Sequence, residues 1–170
     1  TLLLLLFSSS VLFSQTESVL NLSTEEQKWL STNTITLSID DRYEPMNYRN
    51  AQGKIDGLSV DYLKLIESKV GVTIDLDSRP WPEALDNAMN HRTDGIVNAN
   101  PTPERNKKLA FSRPYIEIPM ALFIQQGTPS INSLSEFNGK RILVKKKTVE
   151  ATVIPQSYPS IEVIEVETYK

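Results

Sequence analysis

Three short stretches in the first hundred residues have strand character, and segments of helical period separate them, which leaves few folds open to the chain. Ile35, Leu37 and Ile39 alternate with polar residues across 34–39, and Val72, Ile74 and Leu76 do so across 72–76. Residues 95–99 form a third short apolar run. A period of two lines one face of a strand. Between these runs, residues 58–70 bring Leu58, Tyr62, Leu65, Ile66 and Lys69 near one helical face and end at Gly71, a natural helix stop. Residues 81–89 do the same with Trp81, Leu85, Ala88 and Met89, and Pro82 suits the first turn. The order strand, helix, strand, helix, strand predicts an α/β fold with a small parallel sheet crossed by helices. A second series starts at strand 141–144, continues through a helix from Val149 expected to last until Pro155, and reaches a strand at 161–166. A chain of 170 residues accommodates one domain or two small lobes.

The connections carry the polar chemistry. The first strand runs into Asp40, Asp41, Tyr43, Pro45, Met46 and Tyr48, a polar and aromatic loop closed by a turn at 50–53 and an excursion through 54–57. Open α/β sheets place binding residues where strands end in such loops. Tyr43 is therefore a candidate for a cleft edge or for packing over the sheet, and Tyr48 for packing. Residues 98–115, NANPTPERNKKLAFSRPY, form the second such connection. Pro101 and Pro103 exclude a helix interior up to that point, and a short helical turn begins at Pro103 or Glu104 with Thr102 as its N-cap. Arg105 then sits in the first turn beside free backbone N–H groups, an arrangement suited to an anion and above all to a carboxylate. The competing reading is a surface turn in which Glu104, Arg105, Lys107 and Lys108 are simply solvated. Further on, residues 116–125 read as a strand in spite of Pro119, at an edge or a crossing. A turn follows at 126–130, then a short helix at 134–139 with Ser133 as cap and Glu136 three residues on. Ahead of the first strand, residues 22–30 predict a leading helix capped by Ser23 or Thr24, with Leu22, Trp29 and Leu30 as core anchors.

Composition narrows the chemistry. With no cysteine, disulfides and thiolate metal sites are excluded, and the single histidine, His91, falls in the solvated exit of a helix. A Ser–His–Asp triad and a histidine-rich metal site have no basis here, and no cofactor is expected. The net charge of −3 and the dispersed basic residues give no nucleic-acid footprint. Residues 1–15 open with Leu2 to Phe7, three serines and Val11 to Phe13. That apolar stretch is too short for an ordinary span and reads as a secretory signal remnant without its Met. The other readings are the outer end of a membrane helix or a buried first helix.

The order of elements, the spacing from Gly53 to Gly57 followed by Asp61, and the block from Asp94 to Tyr115 resemble the type 2 periplasmic solute-binding fold. Within it the chain is most similar to the extracellular amino-acid-binding proteins of solute-binding family 3. In that block Asp94, Thr102, Glu104, Arg105, Phe111, Ser112, Pro114 and Tyr115 stand where the family pattern has them. The opening LSTEEQKWL and the closing GKRILVKKKTVEA further resemble the solute-binding modules outside the membrane in bacterial sensor histidine kinases. The resemblance implies a two-lobed clamshell, with 22–115 as the first lobe and the approach to the hinge. Residues 116–170 are then the hinge crossing and an incomplete second lobe.

It also implies ligand-binding roles. Arg105 is the arginine that clamps a ligand carboxylate, with Asn100 and Thr102 nearby, and Tyr43 is the aromatic at the cleft edge. Thr148 opens the second-lobe helix and completes the cradle, although the family usually has glycine before it where this chain has Lys147. Asn98 replaces a position that is often apolar or small. The expected activity is extracytoplasmic capture of an anionic or amino-acid-like small solute, in the periplasm or cell exterior, tethered as part of a longer receptor. Closure would signal to a membrane-linked kinase or other signalling domain; the alternative partner is an ABC permease. An enzyme of the same fold would need acid–base residues. Asp40, Asp41 and Glu117 form no paired constellation in the sequence, and turn or surface roles suit them better.

Overall fold

The computed structural model describes residues 20–169. The leader expected at 1–15 lies outside the described residues. Helix α1 (Thr24–Thr32) leads into β1 (Thr34–Asp40), the strand on which the first unit is built. The loop after it holds three short strands, β2 (Arg42–Tyr43), β3 (Asn47–Arg49) and β4 (Ile55–Asp56), paired in that order and antiparallel. Then come α2 (Leu58–Val70), β5 (Thr73–Arg79), α3 (Trp81–Met89) and β6 (Gly95–Ile96). Strand β1 lies between β5 and β6 and is parallel to both, with Thr34 opposite Thr73, Asp40 opposite Arg79 and Leu37 opposite Gly95. Both helices match the expected spans, and the strand expected at 72–76 extends to Arg79.

The core forms where β1 is covered from both sides. Ile39 is fully buried against Val60 of α2 and Val97, with Leu37, Ile55, Leu63 and Leu76 around it. Removing an isoleucine side chain of that size from water is worth about 1.5–3 kcal/mol. Val60 reaches this core because α2 starts close under the β2–β3 loop: Ser59 N–H donates to Met46 O at 2.9 Å. Gly57 allows the approach. Its φ is +119°, and a Cβ there would stand 2.5 Å from the Met46 carbonyl oxygen.

A second parallel pair follows, β7 (Arg141–Lys145) with β8 (Glu162–Val166), crossed by α4 (Val149–Ser157). Ile142, Val144 and Ile161 are its buried centre, packed by Leu134, Phe137, Ala151, Ile154 and Tyr158 among others. The helix expected at 134–139 is a 3-10 turn, Leu134–Phe137, with the anticipated Ser133–Glu136 capping box.

Five expectations are corrected. Residues 116–125 form no strand: no partner pairs with them among the described residues, Pro119 lacks a donor, and Ile118, Met120 and Phe123 are exposed. Strand β6 is two residues long and not five, because the chain turns away after Ile96 and Asn98 adopts φ +60°. Helix α1 buries none of its residues, and Trp29 is 53% exposed, so it does not anchor the core. The inner face of α2 is centred on Ser59, Val60 and Leu63; Leu58, Tyr62 and Leu65 point outward, and Tyr62 stacks on Tyr115 with ring centroids 4.8 Å apart. Helix α4 passes through Pro155 for two residues instead of ending there, the last turn being closed by Tyr158 N–H on Ile154 O at 2.8 Å.

Candidate functional site

The carboxyl end of β1 and the amino end of α4 face each other across a cleft between the two units. The cleft encloses about 310 Å³ and is lined from the first unit by Asp40, Tyr43, Asn47, Trp81, Asn98, Asn100 and Arg105. Lys145, Thr148, Val149 and Glu150 line it from the second, with Met120 from the connecting segment.

Arg105 is the centre of this wall. It lies in a 3-10 turn, Arg105–Lys107, which starts later than the turn expected from Pro103 or Glu104 and has Glu104 rather than Thr102 at its N-cap, although the Arg105 backbone N–H does donate to Thr102 Oγ1 at 3.1 Å. Its side chain is not solvated as the surface-turn reading required: only 6% of the residue is exposed, while Glu104, Lys107 and Lys108 do face solvent. The guanidinium donates from Nη1 to Asn100 O (2.8 Å) and from Nη2 to Lys147 O (2.7 Å), and sits 5.3 Å from the centroid of the Trp81 ring. Burial depresses its pKa, opposed by the charges of Glu150 and Glu104. An arginine starts so far above neutrality that it stays cationic, and a guanidinium has five N–H donors, so three remain for another acceptor.

The other predicted positions divide. Tyr43 is on β2 at the cleft edge, 37% exposed, its phenol pKa raised chiefly by burial and then by Glu150 and Asp40. Asn100 turns its carbonyl to Arg105. Thr148 stands at the N-cap of α4, yet its hydroxyl donates backward to Lys145 O at 2.8 Å and caps no amide. Lys147 before it has φ +58°, the left-handed conformation that glycine adopts without penalty, and this lysine holds it while its carbonyl takes two donors. Asn98 is committed internally: its amide donates to Asn47 Oδ1 and to Ser59 Oγ, and it accepts from the Tyr115 hydroxyl. It shapes the wall more than it offers free groups.

Sequence reasoning missed two contributors. Trp81 Nε1 donates to Lys147 O at 3.1 Å, so the residue expected as a core anchor is also a bridge between the units. Lys145 ends β7 and forms a buried ion pair with Asp40 at the end of β1. Asp40, expected in a turn or surface role, is only 5% exposed and Lys145 only 8%. The available signal was a lysine directly after Val144, which extends an Ile-x-Val strand pattern with a charge at its inner end. Asp41 instead lies 3.6 Å from Arg49, and Glu117 is exposed, so the three carboxylates share no site.

A cleft between two parallel α/β units, with a buried arginine on its wall, is the architecture of a solute-binding module. The chain belongs to the bacterial extracellular solute-binding proteins, family 3, whose profile matches residues 35–160. A probable amino-acid ABC transporter-binding protein of Haemophilus influenzae is 26% identical over 111 residues, covering 65% of this chain and 43% of that protein. Among solved structures, an ancestral arginine-binding protein bound to arginine superimposes with TM-score 0.71 at 23% identity, covering 80% of this chain and 62% of its own. A histidine kinase sensor domain with similarity to periplasmic binding proteins gives TM-score 0.73 at 19% identity, with 80% and 60% covered. The chain thus spans about half the length of the curated relatives it matches and about three-fifths of these structures. The fold is that of the type 2 clamshell, with only part of the second lobe contained in this chain. The family is one of solute binding outside the cytoplasm, and no helix among the described residues is long and apolar enough to cross a membrane.

Proposed function

We propose that the chain is the capture end of an extracytoplasmic receptor for a small anionic or amino-acid-like solute. In this reading residues 22–115 are the first lobe and residues 116–170 the hinge crossing and the start of the second. The observation that carries it is Arg105: a buried cation on the cleft wall with donors to spare, beside Tyr43, Asn100 and Thr148. Two parallel donors of a guanidinium match a carboxylate, and burial strengthens that attraction relative to water. Solute touching both lobes favours the closed arrangement by its difference in affinity between states, and closure is the signal. The leading segment that resembles sensor modules favours a membrane-linked kinase or other signalling domain as the receiver. The named function of the Haemophilus influenzae relative supports the second reading, delivery to an ABC permease.

A thermal-shift screen of the full chain against amino acids, small carboxylates and inorganic anions tests this. A concentration-dependent rise in Tm with at least one carboxylate is expected, by linkage of binding to folding. Arg105→Ala, shown to be folded by circular dichroism, is expected to weaken that solute at least tenfold, since charge-assisted hydrogen bonds are worth about 1.5–3 kcal/mol. An unchanged affinity in that variant overturns the assignment. Stimulation of a permease ATPase, against stimulation of a kinase, separates the two readings.

A further inference from the structure

We infer that Lys145 is a specificity-determining residue of the cleft: it fills, from within the chain, a cation position at Asp40 and so excludes solutes with a cationic side chain. The inference rests on the solute-binding reading above and adds the class of solute. Asp40 lies on the cleft wall at the end of β1, 5% exposed, where a buried carboxylate requires a positive partner. It has one already. Lys145 Nζ reaches Asp40 Oδ2 from the opposite unit, the backbone N–H of Arg42 donates to Oδ1 at 3.2 Å, and the lysine is itself 8% exposed. Lys145 is the last residue of β7, and its backbone N–H donates to the hydroxyl of Tyr169, beyond β8, at 2.9 Å.

A solute ammonium or guanidinium at this position would have to displace Lys145, leaving that cation buried and unpaired, or stand beside it against like charge. Both are unfavourable in a desolvated cleft. Glu44 and Glu150 are the other carboxylates that line the cleft, and the charge of Glu150 acts on Arg105 and, together with Asp40, on Tyr43. Arg42 also lines the cleft but lies 3.5 Å from Asp41, and the buried Arg105 still attracts a carboxylate. The cleft therefore suits solutes with a neutral or acidic side chain, and removing the lysine side chain converts it to one that takes a basic solute at Asp40.

The test compares the full chain with Lys145→Ala, Lys145→Met and the double variant Asp40→Asn/Lys145→Met, titrated with glutamine, glutamate, arginine and n-butylammonium. Lys145→Met keeps side-chain volume, and the double variant removes the orphaned charge, so at least one folded comparison is secured. The expected result is that the unmodified chain responds to glutamine or glutamate and not to arginine. Lys145→Ala then gains arginine binding by roughly tenfold or more, equivalent to about 1.4 kcal/mol, and the gain disappears in the double variant. Arginine binding by the unmodified chain at a strength that Lys145→Ala leaves unchanged overturns the inference while the solute-binding reading stands. A response of Lys145→Ala to n-butylammonium with no amino acid binding either protein upholds the internal cation and overturns the amino-acid reading instead. Silence of both proteins toward every probe overturns both.

Discussion

At the scale of single residues, the backbone is most constrained where loops close over the cleft. Gly57 holds φ +119° with the Met46 and Pro45 carbonyls packed where a side chain would begin, so Gly57→Ala meets both an unfavourable dihedral and a backbone clash. We expect it to cost about 2–4 kcal/mol, read as a lower denaturant midpoint at unchanged slope. Gly53→Ala, at φ +75° with nothing within 4 Å of the added carbon, is expected to cost about 1 kcal/mol. The glycines were visible in the sequence as turn signals, but the difference between them was not, because it depends on which carbonyl stands opposite. The same limit applies to Asp40 and Lys145. They are 105 positions apart, and only the approach of β7 to the end of β1 pairs them. Arg105 was legible earlier because its partner Thr102 is local, three residues away.

Among the elements, those specified by short-range pattern emerged with their expected bounds. Helix α2 ends at Gly71 in a left-handed conformation, and α3 presents Trp81, Ala84, Leu85 and Ala88 to the sheet. Orientation was harder to read. The apolar residues of α2 occupy more than one stripe, and which stripe faces inward was decided by the close approach at Gly57 and by the stack of Tyr62 on Tyr115. Residues 116–125 failed as a strand because a strand exists only with a neighbour, and none pairs with them among the described residues. Helix α1 is the opposite case, an element held by its cap without burial. Ser23 accepts from Glu26 N–H at 3.2 Å, and Glu26 accepts from Ser23 N–H at 2.7 Å. These bonds depress the Glu26 pKa, led by the backbone bond to Ser23. A carboxylate with a lowered folded pKa contributes fully above its unfolded value, about 4.3 for glutamate. That contribution is lost as pH falls through the lower folded value. Amide protection in α1 should therefore decline below about pH 4 while β1 remains protected. Ser23→Ala should produce the same local loss at neutral pH, worth about 1 kcal/mol.

On the scale of the whole molecule, the segment 145–147 links the two units by hydrogen bonds and an ion pair, and its central acceptor is a single carbonyl. Lys147 O takes Arg105 Nη2 at 2.7 Å and Trp81 Nε1 at 3.1 Å, both from the first unit. Shared acceptors make the two donors mutually redundant. Trp81→Phe alone removes the indole N–H and leaves the carbonyl with Arg105, while the phenyl ring keeps an aromatic face for the guanidinium. In an Arg105→Ala background, the same substitution leaves Lys147 O without either donor. These bonds are half-buried, and losing one while the carbonyl keeps the other costs about 0.5–1.5 kcal/mol, whereas losing both adds the cost of an acceptor left unpaired, at most about 1–3 kcal/mol. The double-mutant cycle is therefore expected to be non-additive by about 1 kcal/mol, with the pair worse than the sum of the singles. Equal steps in both backgrounds would show that the units do not depend on this carbonyl. Under the proposed function the coupling would also bear on solute capture, because a carboxylate held by the remaining donors of Arg105 would leave the contact in place. Binding and contact between the units would then reinforce each other. Weakening the contact should lower apparent affinity in proportion to the fraction of molecules left competent to bind.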